Sequence, residues 1–363
     1  MLESNRHPNQ ALAEEVAKAG AIEHLSNCVQ DPETSLKKVA AVALCEIGKH
    51  NAELANAIAS HPGTLKAITA AFKDRDMELR QNACICLANL AKHNEEIAQK
   101  VGNADLFPAI IDYCLKEEKP GLQRQAMQCI KEIAGQSAEL AKMVGDPKYI
   151  DPIINYLSKA KGAGKLPAIM TLGFVAGFDK EMAKTVVQLK GHIALMDSLE
   201  HDKETHIKAA AAWSLGQIVK HSAELGSGLN DQKVMNALLK AYLYAEEKGD
   251  LQNKARRALR TMIQQCQEMS ALAPLLGSAP VKILKHVVAQ IGNLLKNKKE
   301  LLLLFAKEGH LGKLQEIQAP AESKLQASIV EINKLYSDDV VHYFTKGHLD
   351  TLIKQKEDYE HHE

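Results

Sequence analysis

Apolar residues recur at spacings of three and four along most of this chain, and the stretches that carry them repeat. Leu36, Val39, Ala40, Ala43, Leu44 and Ile47 line one side of a helix in this way. Just past that helix a short block returns at a fixed interval. Ile47-Gly48-Lys49-His50-Asn51-Ala52-Glu53-Leu54-Ala55 is answered by Leu90-Ala91-Lys92-His93-Asn94-Glu95-Glu96-Ile97-Ala98, and then by Ile133-Ala134-Gly135-Gln136-Ser137-Ala138-Glu139-Leu140-Ala141. A fourth copy runs from Val175 to Ala183 and a fifth from Ile218 to Gly226. Glu53, Glu96, Glu139, Glu181 and Glu224 stand 43, 43, 42 and 43 residues apart.

Each copy specifies local structure. Asn51, Asn94, Ser137, Asp179 and Ser222 share one column, and all are side chains that cap helix N-termini. The glutamate two residues later falls in the first turn, where the helix dipole favours negative charge. A short first helix is therefore expected to start at each cap and to end near Ala59, Gly102, Gly145, Gly191 and Asn230. A second helix is expected over Leu106–Leu115, then a charged turn, then a third and longest helix. Three helices in about 43 residues is the armadillo or HEAT period. One such unit cannot bury its apolar faces alone, so copies must stack. The fold class that follows is an all-α, armadillo-type, right-handed α-solenoid.

The organisation expected is a short N-terminal extension over residues 1–10, a solenoid over 11–335 that is regular to about residue 230, and a tail or docking segment over 336–363. Lys254–Ile263 and Ile283–Gly292 read as further third helices in the looser part. The first recognisable element, Leu12–Gly20, aligns with the first helix of a repeat. No third helix precedes it, so an edge near Leu12 is expected to be exposed and covered by a partner.

Composition narrows the function. Lys plus Arg equals Asp plus Glu, 45 against 45, which argues against a phosphate-neutralising nucleic-acid binder. Aromatics are 4% of the chain, with Trp213 the single tryptophan, so the core must be Ala, Leu, Ile and Val. The seven cysteines form no C-x-x-C pair and sit in apolar helical runs, as small hydrophobes in a reducing compartment do. No window reaches the length of apolar sequence a membrane span needs. Lys161-Gly162-Ala163-Gly164-Lys165-Leu166 resembles a phosphate loop only faintly, because the first glycine and the Ser or Thr that would hold magnesium are missing. His50, His93 and His221 recur too far apart for one metal ion and are expected to close third helices instead. No catalytic constellation stands out, so the chain is expected not to be an enzyme, and no cofactor, metal or small-molecule substrate is expected.

The candidate binding surface is the concave wall of stacked third helices. Positions four apart give Lys38, Val42 and Glu46, then Gln81, Ile85 and Asn89, then Arg124, Gln128 and Glu132. Leu166, Met170 and Phe174 follow, and then Ala209, Trp213 and Gln217. Packing between repeats is the alternative role for Ile85, Met170, Phe174 and Trp213. Armadillo nuclear-import adaptors grip basic peptides with a repeated Trp and Asn ladder. Here the Trp column reads Val42, Ile85, Gln128, Met170, Trp213 and the Asn column Glu46, Asn89, Glu132, Phe174, Gln217, so a basic-signal receptor is not expected.

Around His206–Ile218, Leu166–Val175, Ile283–Val288 and Val340–Phe344 with Asp350-Thr351-Leu352, the sequence resembles the armadillo-repeat family of the ciliary and flagellar central apparatus, the sperm-associated antigen six type. Members of that family carry further repeats ahead of this chain's first. The resemblance implies a non-enzymatic scaffold in the cytoskeleton of a motile axoneme. Its implied partners are other axonemal proteins, a microtubule-associated assembly and copies of itself, with no nucleic acid and no membrane. The competing expectation is a soluble cytosolic adaptor, in transport or signalling, that binds peptides in its groove.

Overall fold

The computed structural model of the 363-residue chain describes residues 8–103, 105–117, 119–221 and 231–344. Described residues fall into helices and turns, with no strand among them. The chain divides into two compact units, the first ending at Ile218 and the second beginning at Val219.

The first unit holds five three-helix repeats. They are α1 (Pro8–Lys18), α2 (Ala21–Cys28) and α3 (Thr34–Gly48); α4 (Ala52–Ser60), α5 (Thr64–Ala70) and α6 (Met77–Ala91); and α7 (Glu95–Gly102), α8 (Leu106–Ile110) and α9 (Pro120–Ala134). Then come α10 (Ala138–Val144), α11 (Pro147–Lys159) and α12 (Leu166–Phe178), followed by α13 (Lys180–Gln188), α14 (Gly191–His201) and α15 (Thr205–Val219). Helix α1 takes in the last residues of the N-terminal extension.

The cap column works as its chemistry requires. Asn51, Asn94, Ser137 and Asp179 have extended backbone, and each side-chain oxygen accepts the backbone N–H three residues on. The distances are 2.8 Å to Leu54, 2.9 Å to Ile97, 3.4 Å to Leu140 and 2.8 Å to Met182. Each such cap contributes about 0.5–2 kcal/mol. Ser222 and Glu224, the fifth copy, lie outside the described residues.

Third helices form the spine: α3 packs on α6, α6 on α9 and α9 on α12. Two columns explain how. Leu44, Leu87, Ile130, Leu172 and Leu215 are completely buried, and each such side chain stabilises by about 1.5–3 kcal/mol. Ala40, Ala83, Ala126, Ala168 and Ala211 are buried beside them and let the helix backbones approach. Helix α15 meets α12 at a glycine. A Cβ on Gly173 would sit 2.4 Å from the Trp213 ring, and the Ser214 hydroxyl donates to the Ile169 carbonyl at 2.8 Å.

Three expectations are corrected in detail. Leu36 and Val39 are 37% and 68% exposed, although they belong to the apolar face of α3. Leu79 and Leu122, in the column of Leu36, are by contrast wholly buried. Together with Leu12 and Val16 of α1, Leu36 and Val39 leave an apolar edge. The second helix expected over Leu106–Leu115 is α only to Ile110 and continues as a π turn over Ile111–Leu115. Helix α13 stops at Gln188, short of Gly191, because Lys190 takes a left-handed φ of 64°.

The second unit keeps the long helices and loosens the rest. It contains α16 (Asp231–Tyr244), α17 (Asp250–Gln265), α18 (Met269–Leu272), α19 (Leu275–Ser278) and α20 (Val281–Asn297). These are followed by α21 (Glu300–Lys307), α22 (His310–Gln315), α23 (Lys324–Asn333) and α24 (Asp338–Tyr343). Here α16 packs on α17, α17 on α20 and α20 on α23. Leu259, Ile291 and Ile332 are completely buried. The short helices α18 and α21 have no side-chain cap, since Glu268 and Lys299 stand at their N-termini.

Candidate protein-binding grooves

In the first unit the third helices bring the expected groove residues onto adjacent helices, and many are engaged by their neighbours. Lys38 reaches forward from α3 to the start of α6, 3.1 Å from Asp76 and 2.9 Å from Glu78. Those carboxylates, Glu78 first, raise the ammonium pKa. Asp76 in turn caps α6 by accepting from the Leu79 N–H at 2.9 Å. That bond, and then Lys38, hold its carboxyl below the ordinary range. Glu46 is exposed and pairs with Lys49 one turn on.

Gln81 and Ile85 are half-buried. The Asn89 amide donates to the Cys45 thiol of the preceding repeat at 3.2 Å, and its oxygen accepts from Lys92 at 2.8 Å. A hydrogen bond from Cys86 lowers the Cys45 pKa to about 7, with burial opposing it and Asn89 assisting. Arg124 is exposed over a cleft of about 650 Å3 that it shares with Tyr156 and Lys161. Gln128 donates to Glu132 at 2.6 Å, and Glu132 pairs with Lys131 at 2.7 Å.

Met170, Phe174, Trp213 and Gln217 are half-buried. Phe174 meets Trp213 edge to face, with centroids 5.3 Å apart and planes at 72°. The pair therefore fills the junction between repeats while keeping part of each ring accessible. This wall is mixed in character: apolar rings at one end, and paired charges at the other.

The two sequence decoys have structural roles. Gly162–Lys165 forms a 3-10 turn whose Gly164 carbonyl accepts the Tyr156 hydroxyl at 2.8 Å. The Lys165 ammonium lies 3.3 Å from Asp202, a carboxylate of the next repeat. His93 does close a third helix, but that of the preceding repeat, 2.8 Å from the Gly48 carbonyl. Gln136, in the same column, donates to the Lys92 carbonyl at 3.2 Å. Burial lowers the His93 pKa, with the Gly48 bond opposing it. No cluster of three metal-ligating side chains is found among the described residues.

A second groove, in the second unit, was not anticipated. Its volume is about 930 Å3, and Arg256, Arg257, Arg260, Lys282, Lys285 and Lys324 line it. The net charge of zero hides it, and the loosened period prevents the columns of α17, α20 and α23 from being aligned by eye. The available signal was the run Lys254-Ala255-Arg256-Arg257-Ala258-Leu259-Arg260, read against Lys282 and Lys285.

Comparison with known proteins agrees with this architecture. Residues 9–48 match the Armadillo/beta-catenin-like repeat family. Over 162 residues the chain is 40% identical to sperm-associated antigen 6 of Homo sapiens. That match covers 45% of this chain and 32% of the relative, so it spans about a third of the relative's length. Among solved structures, an engineered protein superposes with a TM-score of 0.68 at 20% identity, covering 89% of this chain and 80% of the other. A designed armadillo repeat protein, solved with the peptide (KR)4, superposes with a TM-score of 0.61 at 19% identity, covering 66% of this chain and 99% of the other. The chain is an all-α solenoid of armadillo type, similar over 162 residues to sperm-associated antigen 6.

Proposed function

We propose that this chain is a non-enzymatic armadillo-repeat scaffold of the motile cilium or flagellum. It packs against other central-apparatus proteins on axonemal microtubules and supports motility. The observation that carries the reading is the 40% identity over 162 residues to sperm-associated antigen 6. The absence of a helix long and apolar enough to cross a membrane, among the described residues, is compatible with it.

On this reading Lys38, Glu46, Gln81, Ile85, Asn89, Arg124, Gln128, Glu132, Met170, Phe174, Trp213 and Gln217 form a protein-binding wall. Its mixed chemistry suits a specific folded neighbour more than a repetitive peptide. The exposed apolar side chains Leu12 and Val16 of α1 and Leu36 and Val39 of α3 are a second candidate contact, open to a copy of the chain. Size-exclusion chromatography with light scattering tests that contact; self-association supports it and a stable, folded monomer counts against it.

The competing reading is a cytosolic adaptor that takes peptides in its groove. The solved relative bound to (KR)4 gives it a precedent in fold. The Trp and Asn columns of this chain do not supply the matching ladder. Imaging of a tagged copy separates the two. Detergent-resistant signal along the axoneme supports the scaffold, and diffuse or nuclear signal contradicts it. Recovery of axonemal proteins on the chain from detergent-extracted axonemes would identify the neighbours.

A further inference from the structure

The groove of the second unit differs from the wall around Lys38, Glu46 and Glu132 in the state of its charges. Arg256 and Arg260 are one turn apart on the same face of α17, with Arg257 beside them; Lys282 and Lys285 project from α20, and Lys324 from α23. All six are exposed. Nearby lysines on the same helices are neutralised: Lys254 lies 2.8 Å from Asp250, and Lys296 lies 3.2 Å from Glu331. Among the described residues, none of the six lining cations has a carboxylate at ion-pair distance. His286 reports the same field. Burial lowers its pKa first, and the Lys285 and Arg260 charges lower it further.

The floor between these cations is made of Ala289, Ala327 and Ser328. Small side chains there let an extended backbone lie close to the helices, with the long cationic side chains standing at its flanks. Stacked helices sit roughly 8–10 Å apart, and an extended strand rises about 3.3 Å per residue. A segment of roughly six or seven residues therefore spans α17, α20 and α23. Neighbouring unpaired cations repel one another, and the neutral chain as a whole does not require them. A polyanion in the groove removes that repulsion.

We propose that the cationic groove of α17, α20 and α23 binds an extended Glu/Asp-rich segment of a partner protein. The groove suits an acidic polypeptide better than single-stranded nucleic acid, because no Trp, Tyr or Phe lines it to stack a base. Flexible lysines and arginines on a small-residue floor accept carboxylates at varied spacing. The groove is thereby distinct from the mixed wall of the first unit, where Lys38 and Lys131 already face carboxylates. The inference rests on reading the chain as a protein-binding scaffold, and it deepens that reading by naming the chemistry of one partner.

The test uses the full chain and a fluorescent poly-glutamate peptide of about ten residues, followed by anisotropy. Saturable binding that weakens from low to physiological salt is expected. Arg260→Glu alone should weaken it about threefold to tenfold, and the double variant R260E/K285E by roughly 30-fold. Lys184→Glu, an equal charge change on α13, should leave it unchanged. These positions are exposed, and circular dichroism confirms that each variant is folded. The proposal is overturned if the wild type fails to bind at low salt, if R260E/K285E binds as the wild type does, or if a uridine oligonucleotide of equal charge binds more tightly. Axonemal localisation of the same chain is read separately. Retained localisation with no peptide binding removes this inference and leaves the scaffold, whereas lost localisation with intact binding removes the axonemal reading alone.

Discussion

The two units are built on the same kind of long third helix, yet they keep different parts of the repeat. The first preserves the cap column, the buried leucine and alanine columns and the 43-residue spacing, and its groove charges are largely paired. The second preserves buried apolar positions in its long helices, drops the caps of α18 and α21, and concentrates unpaired cations on one surface. Core columns therefore define the repeat, caps refine it, and groove columns are free to change with the partner. This ordering follows the energies, since a buried leucine is worth more than a cap and an exposed charge is worth least.

The largest expected effects are those on the shared core. Leu87→Ala in the first unit and Ile291→Ala in the second should each lose about 2–5 kcal/mol in denaturant melts. Leu36→Ala, in the same column as a fully buried leucine but on the exposed edge, should lose under about 1 kcal/mol. If Leu36→Ala proved as costly as Leu87→Ala, the edge would not be free in the isolated chain. Next comes Gly173→Ala. Its new methyl would meet the Trp213 ring, so a loss of about 1–3 kcal/mol is expected, with a shift in the emission of the single tryptophan. Unchanged emission would mean that α12 and α15 do not approach as described.

Smaller effects separate the units by their caps. Asn94→Ala should cost about 0.5–2 kcal/mol. Glu268→Asn, at an extended position ahead of α18, should gain about 0.5 kcal/mol by supplying a cap that α18 lacks. The cap at Asp76 adds a pH signature. Its carboxyl is held below the ordinary value of 3.8 when folded, so its contribution is present above that pH and is lost as pH falls through the folded value. Asp76→Ala should therefore be less stable than the wild type at neutral pH, with the gap closing in acid. A gap that persisted at low pH would show that the carboxylate is not the source.

Much of the frame was legible in the sequence because it depends on local rules. Asn51, Asn94, Ser137 and Asp179 announce helix starts by their own hydrogen-bonding geometry, and the apolar spacing announces the third helices. What could not be read was context. Leu36 and Leu79 occupy one column, and only the stack decides which is buried. Phe174 reads as an anchor or as packing, and Trp213 rather as an anchor; their edge-to-face contact gives both a packing role without hiding them. The cationic groove depends on three helices whose spacing departs from the period, so its residues converge only in three dimensions.

One repeat frame carries two walls of different chemistry. Hydrogen exchange on the full chain, with and without a poly-glutamate peptide, distinguishes them. Protection confined to 250–265, 281–297 and 324–333 is the expected result. Protection appearing instead on α3, α6, α9 or α12 would show that the two walls do not differ in this way.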